Sequence, residues 1–420
     1  MREKLLRLLQ APWFIAIFAL ALRLAWLVYK TRVIPADVLA AAPFENEVGN
    51  VASALASGHG FCCLFRQPTG PTAWLSPVYP LLIATIFKVF GMFTFRAFCA
   101  AVALNSTFSS LTCFPLFYAA ARVAGKFTAS VGAWLWTLSP IAIILPYAWI
   151  WDSSLSAFLA AALLWATLHF SERCELRGVL LYGLLWGISL LTNPALSALL
   201  PFLLAWTLLR PGLPHPRKVQ YLLVAAGTIL LVCLPWTIRN YVHFHRFVPI
   251  RSNLAYEFWS GNNEIFDPES REVNRITRYE QTRVYARIGE TAFLDQKREA
   301  AKRFVSTHPA LYLQLCVRRF VATWFGTDSP VRDVLHADSA MARVLLLWNS
   351  ISFVLALVGL ARLYHQRRTF FIPIAVFPLV FPLTFYMAHT SLRHRHPCDP
   401  TLAILMAVAL VGCGRQTRLQ

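Results

Sequence analysis

The chain has 420 residues, 57% hydrophobic and only 14% charged, with a mean hydropathy of +0.53. A soluble domain cannot carry that much apolar surface, and the composition also excludes disordered, collagenous and coiled-coil chains; the expectation is an all-α polytopic membrane protein. The excess of 39 Lys and Arg over 20 Asp and Glu gives a formal charge of +19, but these residues cluster at the ends of apolar runs, which points to membrane topology and away from nucleic acid.

The chain opens with MREKLLRLLQ and an apolar run from Pro12 to Tyr29. This run lacks the small-residue cleavage site of a signal peptide and is too long for its apolar region, so it predicts a first transmembrane helix. Further crossings are predicted from Phe95 to Ala121, Thr128 to Tyr147, Asp152 to Phe170, Val179 to Leu191, Pro194 to Leu209, Val219 to Trp236, Ala342 to Leu363, Phe371 to Ala388 and Thr401 to Val411, about ten in all. The stretch Pro77 to Gly91 is too short for a full crossing and carries Lys88, which suits a re-entrant or interfacial helix.

With a cytoplasmic N-terminus and ten crossings, the inner loops collect Arg2, Lys4, Arg7, Arg122, Lys126, Arg173, Arg177, Arg210, Arg217, Lys218, Arg362, Arg367, Arg368, Arg415 and Arg418 against Glu3, Glu172 and Glu175. The short outer turns near Tyr147 to Asp152 and Leu191 to Pro194 carry no Lys or Arg, and an eleventh crossing would invert every later loop, so this asymmetry supports ten. Both termini are then cytoplasmic.

Three regions follow. Residues 1–238 form an N-terminal transmembrane module with a first outer loop (30–77) and the interfacial helix (77–91), 239–340 form an outer region, and 341–420 hold the C-terminal transmembrane helices. The outer region mixes 15 basic with 12 acidic residues. Ser270 to Thr307 has a helix-forming composition there, and Pro309 to Phe325, with Trp324 and Phe325 beside Arg318 and Arg319, suits a helix lying in the interface.

The nine cysteines make no disulfide framework. Cys99, Cys113, Cys174, Cys233 and Cys413 lie in or beside apolar runs as small apolar fillers, and Cys62 and Cys63 are adjacent. Asn105, Ser106 and Ser109 suit contacts between helices. Arg23 and Lys88 must snorkel or find an acid.

Four places carry candidate chemistry, because ionisable groups at a membrane edge are costly to keep. Glu45-Asn46-Glu47 precedes a helical stretch from Val48 to Leu55; its carboxylates could cap that helix or act as a general base. Asp152, after an outer turn, could be an N-cap, but it faces the same compartment as Glu45 and Glu47, so the acids could share a cavity. Arg239 and Arg251 follow an emerging helix, and Arg393 and Arg395 sit between the last two; their planar forks suit phosphate, either of a substrate or of lipid head groups. His243-x-His245 and His394-x-His396 leave a divalent metal open, although no outer Cys or carboxylate is spaced to join them; no cofactor is otherwise required.

The ordered set resembles the GT-C glycosyltransferases, especially the branch similar to protein mannosyltransferases and the lipid A aminoarabinose transferase. The matching pieces are the acidic motif leading into Val51-Ala52-Ser53-Ala54-Leu55-Ala56-Ser57-Gly58-His59-Gly60-Phe61, then Gly70-Pro71-Thr72-Ala73-Trp74 and Pro77-Val78-Tyr79-Pro80-Leu81-Leu82. They continue through Lys88-Val89-Phe90-Gly91, Asp152-x-x-Leu155, Pro235 to Asn253, Gly261-Asn262-Asn263 and Arg393 to Pro400. The resemblance implies a GT-C-like fold and transfer of a sugar from a polyprenyl-phosphate donor to a lipid, glycan or protein acceptor on the extracytoplasmic face of a bacterial inner membrane. It implies Glu47 as the base, with Glu45 the alternative, and Asp152 as an orienting acid. Arg239, Arg251, Arg393 and Arg395 are the implied holders of the donor phosphate, and His59, Asn262, Asn263 and His396 the implied substrate contacts. The sequence departs from the commoner Asp-Glu pair, since Asn46 separates the two Glu residues.

A single displacement would invert the sugar carbon, because no second carboxylate need act as nucleophile. The competing classes are a transporter or lipid-linked glycan flippase, against which stands the lack of paired halves, and a non-catalytic scaffold. On the enzymatic reading, Glu47, Asp152 and Arg395 meet in one outward-facing cavity beside an apolar groove for the isoprenoid. The topology is checked by reporter fusions after Arg66 and after Arg173, which are expected on opposite sides; both on one side would overturn the map.

Overall fold

The computed structural model describes residues 2–65, 67–170, 175–209, 215–263, 275–326 and 340–414. Arg66, Glu172, Arg173, Cys174, Arg210, Arg415, Arg418 and the stretch 270–274 of the expected outer helix lie outside the described residues. Among the described residues every regular element is a helix, apart from one antiparallel bridge between Cys62 and Pro71.

Apolar length decides where the chain crosses. Among the described residues six helical stretches are long and apolar enough to span a bilayer: Pro12–Val33, Phe95–Ala124, Ser153–Phe170, Pro216–Phe244, Ala340–Gln366 and Arg368–Met387. A seventh is Lys126–Thr137 with Pro140–Ala148, bent by 42° at their junction. There Ser139 caps the second piece by accepting from Ala142 N, and Pro140 cannot continue the first. Leu176–Thr192, Pro194–Leu208 and Asp399–Val411 are shorter apolar helices, so each of the ten expected crossings coincides with an apolar helical stretch. The chain is an integral, multi-pass, all-α membrane protein. Val78–Phe90, at 13 residues, is about 20 Å long at 1.5 Å per residue, which falls short of a hydrocarbon core of about 30 Å.

Asp399–Val411 is apolar on every side because protein surrounds it: every residue from Asp399 to Ala409 is buried. Close approach is made with glycine. A Cβ on Gly359 of the Ala340–Gln366 helix would lie 2.1 Å from Leu405 O. Gly183 and Gly187 likewise sit four residues apart on Leu176–Thr192, and a Cβ there would meet Thr228 at 2.7 Å and Val232 at 2.6 Å on the neighbouring helix.

Polar residues join helices where no water can. Ser109 Oγ accepts from Arg23 Nε at 2.8 Å and donates to Ala142 O at 3.1 Å, while Asn105 Oδ1 accepts from Tyr79 OH at 2.9 Å. Arg23 therefore neither snorkels nor finds an acid; it is buried against a serine hydroxyl and the Ala19 carbonyl. Lys88 is exposed.

Two apolar cores result. One fills the transmembrane bundle; the other packs Phe44, Val51, Trp74 and Phe87 of the first outer loop and its short helix with Tyr285 and Phe293 of the outer region. The outer helix stretch divides at Gly289, whose φ of 80° separates Arg275–Ile288 from Glu290–Thr307. Pro309–Phe325 is one helix, but Arg319 and Trp324 turn inward, contrary to their expected place at the interface, while Leu313, Val317 and Phe320 are exposed.

Gly359→Val forces the last helix away and is expected to cost about 1–3 kcal/mol or more of stability by overpacking. Thermal unfolding in detergent measures it, with the exposed Leu357→Val as a control that leaves the midpoint in place.

Candidate functional site

The first outer loop builds the acidic edge. Asn46, not a carboxylate, caps the Glu47–Ala56 helix: its Oδ1 accepts from Gly49 N at 3.0 Å and its Nδ2 donates to Pro43 O at 2.8 Å. Glu47 thereby becomes the first residue of the helix and is half-buried, while Glu45 is exposed. Phe44, fully buried, anchors the turn with its ring 4.9 Å from Phe87, and Gly49 lets its backbone in, since a Cβ there would lie 2.0 Å from Phe44 O. His59 lies beyond the far end of this ten-residue helix, about 15 Å along the chain axis from Glu47, and is not brought together with it.

Opposite lie three further pieces. Asp152 precedes the Ser153–Phe170 helix and accepts from Ser156 Oγ at 2.9 Å. Arg251 donates from Nε to Trp74 O at 2.7 Å, leaving its Nη2 3.9 Å from the carboxylate of Glu257 on the Leu254–Gly261 helix. Arg393 lies over the indoles of Trp151 and Trp149, 4.5 and 5.9 Å from their centroids, contacts that leave its fork of donors available.

These groups act on one another. Burial lowers Arg393, and Glu257, Glu47 and Asp152 together oppose that shift. Burial raises Asp152, against Arg251, the Ser156 hydroxyl and Arg393. Burial, then Arg393, His389 and Arg251, hold His394 well below an ordinary imidazole, and burial lowers His389 as well, against Glu257. His394 stacks on Phe385 with ring centroids 4.9 Å apart, and His389 Nδ1 lies 3.7 Å from the carboxylate of Glu257. Arg393 thus feels three half-buried carboxylates, Glu47, Asp152 and Glu257, and Arg251 feels two of them, Asp152 and Glu257. Among the described residues no three His, Cys, Asp or Glu side chains group as metal ligands.

Several expected site residues are engaged elsewhere. Arg239 donates to Thr72 O and Phe61 O, each at 2.7 Å, so its fork ties two stretches of the first outer loop. Arg395 is buried, bonded to Asp399 at 3.0 Å, to the carbonyls of Thr323 and Trp324 and to Asn349, so four of its five N–H donors are already engaged inside the protein. His396 is fully buried, stacked on Trp136 and bonded to Asp399 at 2.8 Å. Asn262 accepts from Arg319 and donates to Phe258 O and Met387 O, and Asn263 donates to Trp259 O. The expected meeting of Arg395 with the acids is therefore corrected to Arg393, two residues earlier. Along a helical turn neighbouring basic residues face different ways, and here Arg395 and His396 are drawn inward while Arg393 and His394 stay half-buried.

Glu257, His389 and Glu290 were not legible as functional or structural keys. Glu290 is buried and accepts from Thr72 Oγ1 at 2.5 Å, Ala73 N at 2.9 Å, Ser252 Oγ at 2.7 Å and Tyr285 OH at 2.7 Å. It locks the outer region onto the first outer loop beside Arg251. The only available signal was its place immediately after Gly289 in a charge-rich helix.

No protein-family model matches the sequence, and no curated protein matches it either. Solved structures do resemble it. The Archaeoglobus fulgidus oligosaccharyltransferase in its apo form superposes with a TM-score of 0.53 at 13% identity, covering 96% of this chain and 50% of that one. The same organism's enzyme with an inhibitory peptide and a dolichol-phosphate gives 0.50 at 13% identity, over 88% and 46%. ArnT from Cupriavidus metallidurans bound to undecaprenyl phosphate covers 92% of this chain and 78% of its own at 14% identity, with a TM-score of 0.39. The chain spans about half the length of the oligosaccharyltransferase it matches. The fold is GT-C-like.

The two arginines are separable by experiment. Arg395→Leu strands Asp399 in the core and is expected to cost about 3–5 kcal/mol, read by thermal unfolding. Arg393→Leu removes a cation that lowers both His389 and His394, so both imidazole pKa values are expected to rise in a histidine NMR titration.

Proposed function

We propose that the chain is a membrane glycosyltransferase that takes a hexosyl or pentosyl group from a polyprenyl-phosphate donor. The observation carrying this reading is that Glu47, Asp152 and Glu257, from three distant parts of the chain, all act on Arg393, whose own contacts are aromatic faces. Attack on an anomeric carbon needs a proton acceptor and a cationic home for the departing phosphate, and these groups supply both. The GT-C-like fold, shared with an oligosaccharyltransferase whose structure holds a dolichol-phosphate, supports a donor of this kind.

In the proposed step Glu47 takes the proton of an acceptor hydroxyl or amine as that atom attacks the anomeric carbon. The bond from that carbon to the phosphate oxygen breaks, with inversion, and the lipid phosphate leaves toward Arg393 and Arg251. Asp152 holds those two guanidinium groups in place, since it acts on both. Glu47 is preferred to Glu45 as base because it lies within electrostatic reach of Arg393. The acceptor side is read as extracytoplasmic, with both termini cytoplasmic, from the distribution of basic residues.

Purified protein in lipid, given a polyprenyl-phosphate sugar and candidate acceptors, tests this. Glu47→Gln is expected to lower transfer by about 10²–10⁴-fold and Arg393→Ala by about 10²–10³-fold, with thermal midpoints unchanged. Movement of the donor across the bilayer without bond exchange would establish the transport reading in its place.

A further inference from the structure

One chemically reactive group has no part in the proposed transfer: the adjacent pair Cys62-Cys63 on the first outer loop. It opens a tight hairpin whose arms meet at the Cys62–Pro71 bridge, with Cys63 N donating to Gly70 O and Thr72 N to Phe61 O, both at 3.2 Å. The two Sγ atoms are 2.6 Å apart, closer than sulfurs in ordinary contact. Cys63 has φ 65°, a left-handed backbone that residues with a Cβ seldom adopt. Chain neighbours have Cα atoms only about 3.8 Å apart, below the usual spacing for a disulfide. Bringing their sulfurs together takes an unusual backbone, and this hairpin provides one.

We propose that Cys62 and Cys63 are a reversible oxidation site, closing into a vicinal disulfide that resets the conformation of the Phe61–Ala73 hairpin. Cys63, the more exposed of the two, attacks as thiolate one sulfur of an external small-molecule or protein disulfide; that bond breaks and a first thiolate leaves. Cys62 then gives up its proton and attacks Cys63 Sγ, expelling the second thiolate. Two protein thiols are oxidised, one external disulfide is reduced, and the two departing thiolates carry away the two protons. Burial and the adjoining Cys63 push Cys62 up to about 12, which assigns the first attack to Cys63.

A ring between neighbours encloses no intervening residue, so it removes little chain entropy and is not a stabilising staple. Its effect is local, on a hairpin that carries much of the site's support. Phe61 O and Thr72 O hold Arg239, Thr72 and Ala73 hold Glu290, and the next residue, Trp74, holds Arg251.

The test uses the full chain in lipid nanodiscs, incubated with oxidised glutathione or with dithiothreitol, alkylated with N-ethylmaleimide and digested with trypsin. The peptide running from Val33 to Arg66 contains these two cysteines and no other. After oxidation it is expected two hydrogens lighter and without adducts; after reduction it carries two adducts. Two adducts in both samples, or a lasting glutathione adduct, overturns the proposal. Hydrogen exchange over Phe61–Ala73 is expected to differ at least twofold between the two forms and to lose that difference in Cys63→Ser; equal exchange refutes the conformational effect. Neither readout depends on sugar transfer, so the failure of one reading is distinguishable from the failure of the other.

Discussion

A single buried carboxylate fixes how the region after Arg239 closes on the loop that follows the first helix. Glu290 reaches across more than two hundred residues of sequence to the first outer loop and receives hydrogen bonds from two hydroxyls, a phenol and a backbone amide. A buried acid without such partners would be costly, so the loop, the Ser252 segment and the Arg275–Ile288 helix must all close on it together or not at all. Arg251 follows from that closure, because its neighbour Ser252 is bonded both to Glu290 and, through its amide, to Ala73 O. The strength of this junction comes from short, enclosed hydrogen bonds to neutral groups, which dissolved salt does not screen as it screens surface ion pairs.

The arginines divide by what their forks touch. Arg239, Arg319 and Arg395 direct their donors at carbonyl oxygens and buried side chains, and so act as cross-links between segments that cannot form a sheet or a continuous helix. Arg251 keeps Nη2 3.9 Å from Glu257, and Arg393 rests on the faces of Trp151 and Trp149. Both classes look alike in a sequence, since a guanidinium suits a carbonyl cluster as well as it suits phosphate.

That ambiguity marks the limit of what could be read beforehand. The helical stretches were legible because apolar length is a one-dimensional property, and Pro77 to Gly91 stood out for the same reason. Topology alone gave the expectation that Glu47 and Asp152 face one compartment, and both act on Arg393. Which basic residue would meet them could not, because Arg393 and Arg395 differ only by the rotation of a short helical turn. Asn46, seen at first as an interruption of an acidic pair, is the cap that makes Glu47 the opening residue of its helix. Glu257 carried no sequence signal beyond being an acid in a region of mixed charge, and Glu290 none beyond its place after Gly289, since their significance lies in contacts between remote segments.

The helix His215–Phe244 has 30 residues, about 45 Å of rise against an apolar slab of about 30 Å. Little of it is enclosed by protein, and Gly183 and Gly187 seat it along one narrow line. Its apolar part, Val219 to Trp236, rises about 27 Å and so matches the slab, while the polar ends extend beyond it. Near its outer end Arg239 grips the carbonyls of Phe61 and Thr72, so a thinner or thicker bilayer pulls directly on the hairpin above it.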